Sequence, residues 1–177
     1  IGPGQRKVNL VLADPFVDDS GADTVAGSLH KYLDRNLNLL PFLTMVPGEE
    51  VVGGAQVTGA RASEIDFKPF TLSKVDVVVT ALWSPGDGGK YSVELRAYEV
   101  YTARLIVGRG YNLEGEAHAP EVAARFASEL MKALTGRGDF FMSTIAFSRS
   151  SGRFKEIYTV TPQGTGLRAI TDLKGLC

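Results

Sequence analysis

Two histidines, His30 and His118, are the first residues to weigh, because imidazole suits acid–base and metal chemistry near neutral pH. Neither lies in an H-E-x-x-H arrangement, which would set two imidazoles and a carboxylate on one helix face. Both are read as surface or helix-end residues. The stretch "FVDDSGAD" supplies Asp18, Asp19 and Asp23. A calcium loop needs a different spacing and a closing glutamate, so this is read as a solvated loop whose Asp23 caps the helix that follows. The glycines of "GGAQVTGAR" (53–61) and "GRGYNLEG" (108–115) fit neither the phosphate-loop nor the dinucleotide pattern. They are read as turn and loop glycines. No G-x-S-x-G nucleophile elbow is present. Trp83, at a strand end beside a turn, could anchor a partner, but a place at the edge of the core is the preferred reading. Arg149, Arg153, Lys155 and Arg168 make the tail locally basic, with Phe154 and Tyr158 among them. Strand periodicity already accounts for those aromatics, so a nucleic-acid surface is not expected. Neither a metal nor a cofactor is expected.

The elements that would position these residues are those of an ordinary folded chain. Its 177 residues are 44% hydrophobic and 22% charged, with a formal net charge of −1. That length can bury a useful core. The charge gives no general attraction to nucleic acid or acidic membrane. No apolar run reaches the ~18 residues that a spanning helix needs. The lone cysteine, Cys177, leaves no internal disulfide or thiolate cluster to consider. "IGPGQRK" reads as the trimmed start of a longer precursor, so the missing leader is no argument for the cytoplasm.

"RKVNLVLADPF" (6–16) is a strand rich in β-formers, ended by Pro15. A helix over 24–36 follows, with Val25, Leu29, Tyr32, Leu33 and Leu37 in one apolar stripe. "FLTMV" (42–46) is a short strand, and 47–63, rich in Gly and small residues, a mobile loop. A helical turn in "SEIDFKPF" precedes a strand at 75–82 whose two apolar faces suit a central position. "SPGDGGK" (84–90) turns into "YSVELRAYEV", which sets Tyr91, Val93, Leu95 and Ala97 on one face and Ser92, Glu94, Arg96 and Tyr98 on the other. "LIVGRGYNLEG" completes an antiparallel meander. A second helix opens with Pro120 and carries Val122, Phe126, Leu130 and Leu134 in line, widened by Ala123, Ala127 and Met131, until Gly136 stops it. The expected fold is α/β: a mixed sheet with two main helices in residues 1–138, then a short all-β segment in 139–177.

That order of elements carries a resemblance. "IGPGQRK", "SEIDF", "VVVTALWSPGDGGKYSVELRAYEV" and "MKALTGRGDFFMSTIAFSR" stand collinear with local signatures of the TolB family. "TIAFSRSSGRFKEIYTVTPQGTGLRAIT" is similar to one repeat of that family's β-propeller, with "TPQG" where aspartates are commoner and "IT" as the closing pair. The resemblance implies an N-terminal α/β domain and the incomplete first blade of a six-bladed propeller. It also implies a non-catalytic periplasmic component of the Tol–Pal system, which keeps the outer membrane intact, helps it constrict at division and is exploited by colicins and phage. The family's propeller binds the lipoprotein Pal, and its N-terminal segment communicates with TolA. By position and the Gly-Pro-Gly lead-in, that segment here is Ile1, Gly2, Pro3, Gly4, Gln5, Arg6 and Lys7. No Pal-contacting residue carries over, and a monomer is expected.

A physical argument points the same way: both helices and the sheet use their apolar faces to build a core, which leaves loops, edges and the N-terminal segment for function. Two rivals remain. A propeller-capped serine hydrolase of the prolyl oligopeptidase type has similar strands and would carry its nucleophile past Cys177; the preceding α/β domain counts against it. A nucleotide-binding α/β module would need a phosphate loop that the sequence lacks.

Overall fold

The computed structural model describes residues 7–17, 21–55, 57–151 and 154–172. A mixed sheet runs in the order β3-β1-β4-β5-β6, where β1 is Val8–Leu12, β3 Leu43–Met45, β4 Val77–Pro85, β5 Tyr91–Glu99 and β6 Arg104–Leu113. β1 pairs in parallel with both β3 and β4, and β4, β5 and β6 form the antiparallel meander read from the turns. The strand expected over 6–16 is two pieces. β1 ends at Leu12, and β2, Phe16–Val17, continues beside β4 against Leu82 and Trp83. The Ala13 amide donates to the Val79 carbonyl, so the chain keeps its place beside β4 through the break before Pro15.

A parallel pair needs a crossover, and α1 (Asp23–Asn38) supplies it between β2 and β3. Its stripe is as the spacing predicts: Val25, Leu29, Leu33 and Leu37 are buried and Tyr32 is partly so. Asp23 is the first helical residue; Ala22 stands before it and, among the described residues, no side chain caps the helix. The carboxylate still lies in the first turn, where the helix dipole favours negative charge. α3 (Ala119–Thr135) has Pro120 in its first turn. Gly136 ends it at φ +80°, and its amide donates to the Lys132 carbonyl at 2.8 Å.

Strand alternation decides which side chains meet which helices. On one face Val77, Val79, Ala81 and Trp83 of β4 join Val93, Leu95 and Ala97 of β5 under α1 and α3. On the other, Val78 and Tyr98 pack with Val11, Phe70, Val51 and Ile65. Phe70 belongs to α2 (Phe67–Leu72), the helical turn expected in "SEIDFKPF", and the Asp66 side chain accepts from the Lys68 amide at its start. The stretch read as a mobile loop is part of this second core. Val51 and Ala60 are buried, and the Ala60 carbonyl accepts from Tyr98 Oη at 3.0 Å and Thr80 Oγ1 at 3.2 Å. Local composition could not reveal this, because the partners are 20 and 38 residues away along the chain.

After α3 a 3-10 turn, Phe140–Met142, buries Phe141 in the main core. The chain then forms a separate antiparallel sheet of β7 (Ile145–Ser151), β8 (Phe154–Val160) and β9 (Arg168–Ala169). These are the three strands expected from the sequence.

Candidate functional site

Among the described residues, those weighed for chemistry form no group able to hold a metal ion. His30 is half-buried midway along α1, and His118 is exposed just before α3. Asp23 opens α1, while Asp18 and Asp19 lie outside the described residues. Trp83 is fully buried in the main core, in agreement with the core reading. Gly53 and Gly54 take φ +77° and +79° in the loop they were assigned to. Arg149 lies 5.8 Å from the centroid of the Tyr158 ring, which stacks on Phe147 at 6.0 Å. Register places Arg149 opposite Glu156, and Arg168 opposite Thr159. Lys155 and Arg168 therefore occupy the face opposite to Arg149, which splits the basic tail between two faces; Arg153 is outside the described residues.

Ile1, Gly2, Pro3, Gly4, Gln5 and Arg6, the larger part of the expected partner segment, are likewise outside the described residues; Lys7 is described and exposed. Lys7 stands on the rim of a cleft of ≈ 380 Å³ at the end of the sheet where the chain enters β1. Val8, Val77, Ile106 and Leu134 give it apolar walls, and Asp76, Glu99 and Arg104 polar ones. The polar groups there are tied to the fold. Asp76 Oδ2 accepts from the Asn9 amide at 2.8 Å, and Glu99 Oε2 accepts from Thr102 Oγ1 at 2.6 Å and Arg104 Nε at 3.4 Å. The Thr102 hydroxyl, helped by Arg104, holds the Glu99 carboxyl below its ordinary range.

A second polar line follows the seam between β6 and α3. Arg109 pairs with Glu129 at 2.7 Å and Arg125 with Glu121 at 2.6 Å, while Lys90 on the next hairpin reaches Glu114 at 2.9 Å. The bond to Lys90 lowers the Glu114 carboxyl. Both shifted carboxyls thus move toward the ionised form, whereas a general acid working near neutral pH needs the opposite shift. Sequence reasoning passed over this seam and took no account of Glu121, Arg125 and Glu129. A four-residue charge spacing was the signal available.

The third surface is the small sheet. Ile145, Phe147, Ile157, Leu167 and Ile170 are exposed, as are Phe140 and Met142 leading into it. Arg35 Nη2 of α1 donates to the Gln163 carbonyl, a polar contact between the helices and the loop that leads into β9. A cleft of ≈ 300 Å³ opens there, lined by Tyr32, Asn36, Phe141 and Thr161 among others.

A mixed sheet with helices on both faces, followed by a separate antiparallel sheet, defines the class: an α/β domain with a small all-β segment after it. The same arrangement occurs in the crystal structure of TolB from Acinetobacter baumannii, with a TM-score of 0.70 over 94% of this chain and 39% of that one, at 14% identity. No protein-family model matches the chain. Over 98% of its length, however, it is 43% identical to the Tol-Pal system protein TolB of Nitratidesulfovibrio vulgaris, and 26% identical to that of Syntrophotalea carbinolica. The chain belongs to the TolB family and corresponds to its N-terminal α/β domain. It spans 40% of the length of each of these two relatives. Among the described residues no helix is long and apolar enough to cross a membrane.

Proposed function

We propose that the chain acts in the periplasm as a non-catalytic interaction component of the Tol–Pal system, serving outer-membrane integrity and envelope constriction at division. The observation that carries this reading is the 43% identity with a TolB protein across 98% of the chain. Residues 1–138 are the α/β domain, and 139–177 open the first blade of a β-propeller. In support, the chain changes from helix-backed to all-β pairing just after Gly136, and the sheet that follows exposes apolar side chains of the kind that neighbouring blades cover. The propeller engages the lipoprotein Pal, and Ile1, Gly2, Pro3, Gly4, Gln5, Arg6 and Lys7 engage TolA. Lys7, exposed at the mouth of the entry cleft, fits a segment that offers itself to a partner.

The test is co-purification from cells that make the full-length protein with or without residues 1–7. Loss of TolA capture with Pal capture unchanged is the expected result. Loss of Pal capture alone would overturn the division of labour.

A further inference from the structure

β6 is an outer strand: among the described residues it pairs with β5 and with no other strand. Gly110, Tyr111 and Asn112 near its end form one wall of a cleft of ≈ 290 Å³. His118, Glu121 and Arg125, at the start of α3, form the other. Tyr111, His118 and Arg125 bring hydrogen-bond donors to this cleft, beside the Glu121 carboxylate. His118 Nδ1 accepts from the Glu114 amide at 3.3 Å, which makes Nε2 the donating nitrogen of the neutral ring. The Tyr111 hydroxyl is buried and, among the described residues, has no hydrogen-bond partner. Burial first, and then the charge of Glu129, raise its pKa and keep the phenol protonated. Arg125 gives Nη2 to Glu121 at 2.6 Å, but 57% of its side chain stays accessible and its other N–H groups can serve a second acceptor.

Two features of this cleft are unsettled energetically. A buried hydroxyl without an acceptor is costly. The Arg125–Glu121 pair is a solvated, four-residue-spaced ion pair, which contributes little and exchanges easily. A carboxylate entering the cleft would offer an acceptor to each, because Tyr111 and Arg125 both line it. Arg109, one position before Gly110, is held by Glu129 at 2.7 Å and takes no part. Gly110 leaves open space where a side chain would stand, so another backbone can approach the strand closely.

We propose that this cleft receives the C-terminal carboxylate of an extended peptide that adds to the free edge of β6. Arg125, the Tyr111 hydroxyl and His118 hold the carboxylate. The outward backbone groups of β6 hold the peptide main chain, the usual economy of strand addition. Glu121 occupies the place of the ligand carboxylate until the peptide displaces it.

The probe is acetyl-tetra-alanine with a free C-terminal carboxylate, titrated into the ¹⁵N-labelled full chain, with the C-terminal amide and free acetate as separate arms. Saturable amide shifts at Gly110, Asn112 and His118 are expected with the acid, together with a shift of the Arg125 Nε–H. The amide peptide and acetate should each bind about tenfold more weakly, as loss of a charge-assisted contact or of the strand contacts implies. Tyr111→Phe keeps the ring in place and should weaken the acid peptide severalfold, as should Arg125→Gln. Equal binding of acid and amide peptides would overturn the carboxylate site. Acetate binding as tightly as the peptide would overturn strand addition, and the absence of saturable shifts would overturn both.

Discussion

The α/β body and the β7–β9 sheet use the same strand alternation and end in opposite states. In β4, Val77, Val79, Ala81 and Trp83 turn to one face and Val78 to the other, and all five are buried. In β7, Ile145 and Phe147 share one face and remain 44% and 38% exposed. The strands themselves are well paired in both cases. What differs is the cover: α1 and α3 lie on one face of the large sheet, α2 and the 47–65 stretch on the other. A three-stranded sheet has no second layer of its own, and area removed from water is what stabilises apolar side chains. Backbone pairing therefore builds a sheet, while a second layer makes it a core.

The sharpest way to break this contrast is to truncate one aromatic in each region. Phe126→Ala in α3, where the ring is fully buried, should cost about 3–5 kcal/mol in urea unfolding. Phe147→Ala, on the open face of β7, should cost less than about 1 kcal/mol in the same measurement. Equal costs would mean that the small sheet is as much a core as the body.

The linker between the regions comes next. A Cβ at Gly138 would stand 2.5 Å from the Ser128 carbonyl oxygen and 2.8 Å from Lys132 Cβ. Because backbone is struck, the clash is not relieved by a rotamer change, and Gly138→Ala should destabilise by about 1–3 kcal/mol. An unchanged melting temperature would show that the linker is a tether rather than a packed element.

A smaller effect is expected at the polar bridge. Arg35→Ala removes the donor to the Gln163 carbonyl. Global stability should change by less than about 1 kcal/mol, since Arg35 is exposed. Amide exchange in residues 161–165 should rise, while that of α1 stays the same. A parallel rise in α1 would show that the two regions open as one unit.

The smallest effect concerns a carboxyl on the body's rim. Glu114 is lowered in the folded chain by its bond to Lys90, so the pair stabilises above the ordinary glutamate range and the contribution fades as pH falls through the folded value. Lys90→Ala should return the Glu114 titration, followed by carbonyl NMR, toward the ordinary range, and added salt should do part of the same. A titration indifferent to both changes would remove Lys90 as the cause.

Much of the fold was legible locally. The α1 and α3 stripes, the Gly136 stop and the β4–β5–β6 meander are written in periodicities of a few residues, and the structure follows them closely. The candidate sites were less legible. Tyr98 alternates with the polar Ser92, Glu94 and Arg96, yet it is buried in the second core, where its hydroxyl donates to the Ala60 carbonyl from a stretch far away in sequence. Tyr111 and Arg125 share a cleft because β6 and α3 are laid side by side, which no spacing within either element encodes.

By itself, the sequence determined most of the strands and helices, the Gly136 stop of α3, and the family to which the order of elements belongs. Those choices depend on steric and hydrophobic preferences that act within a turn or two of chain. Only the tertiary structure decided that the 47–65 stretch covers the second face of the sheet and that β6 presents its edge beside the side chains of Tyr111, His118 and Arg125. Those outcomes depend on which surfaces exclude water from each other, and that is a property of the assembled layers.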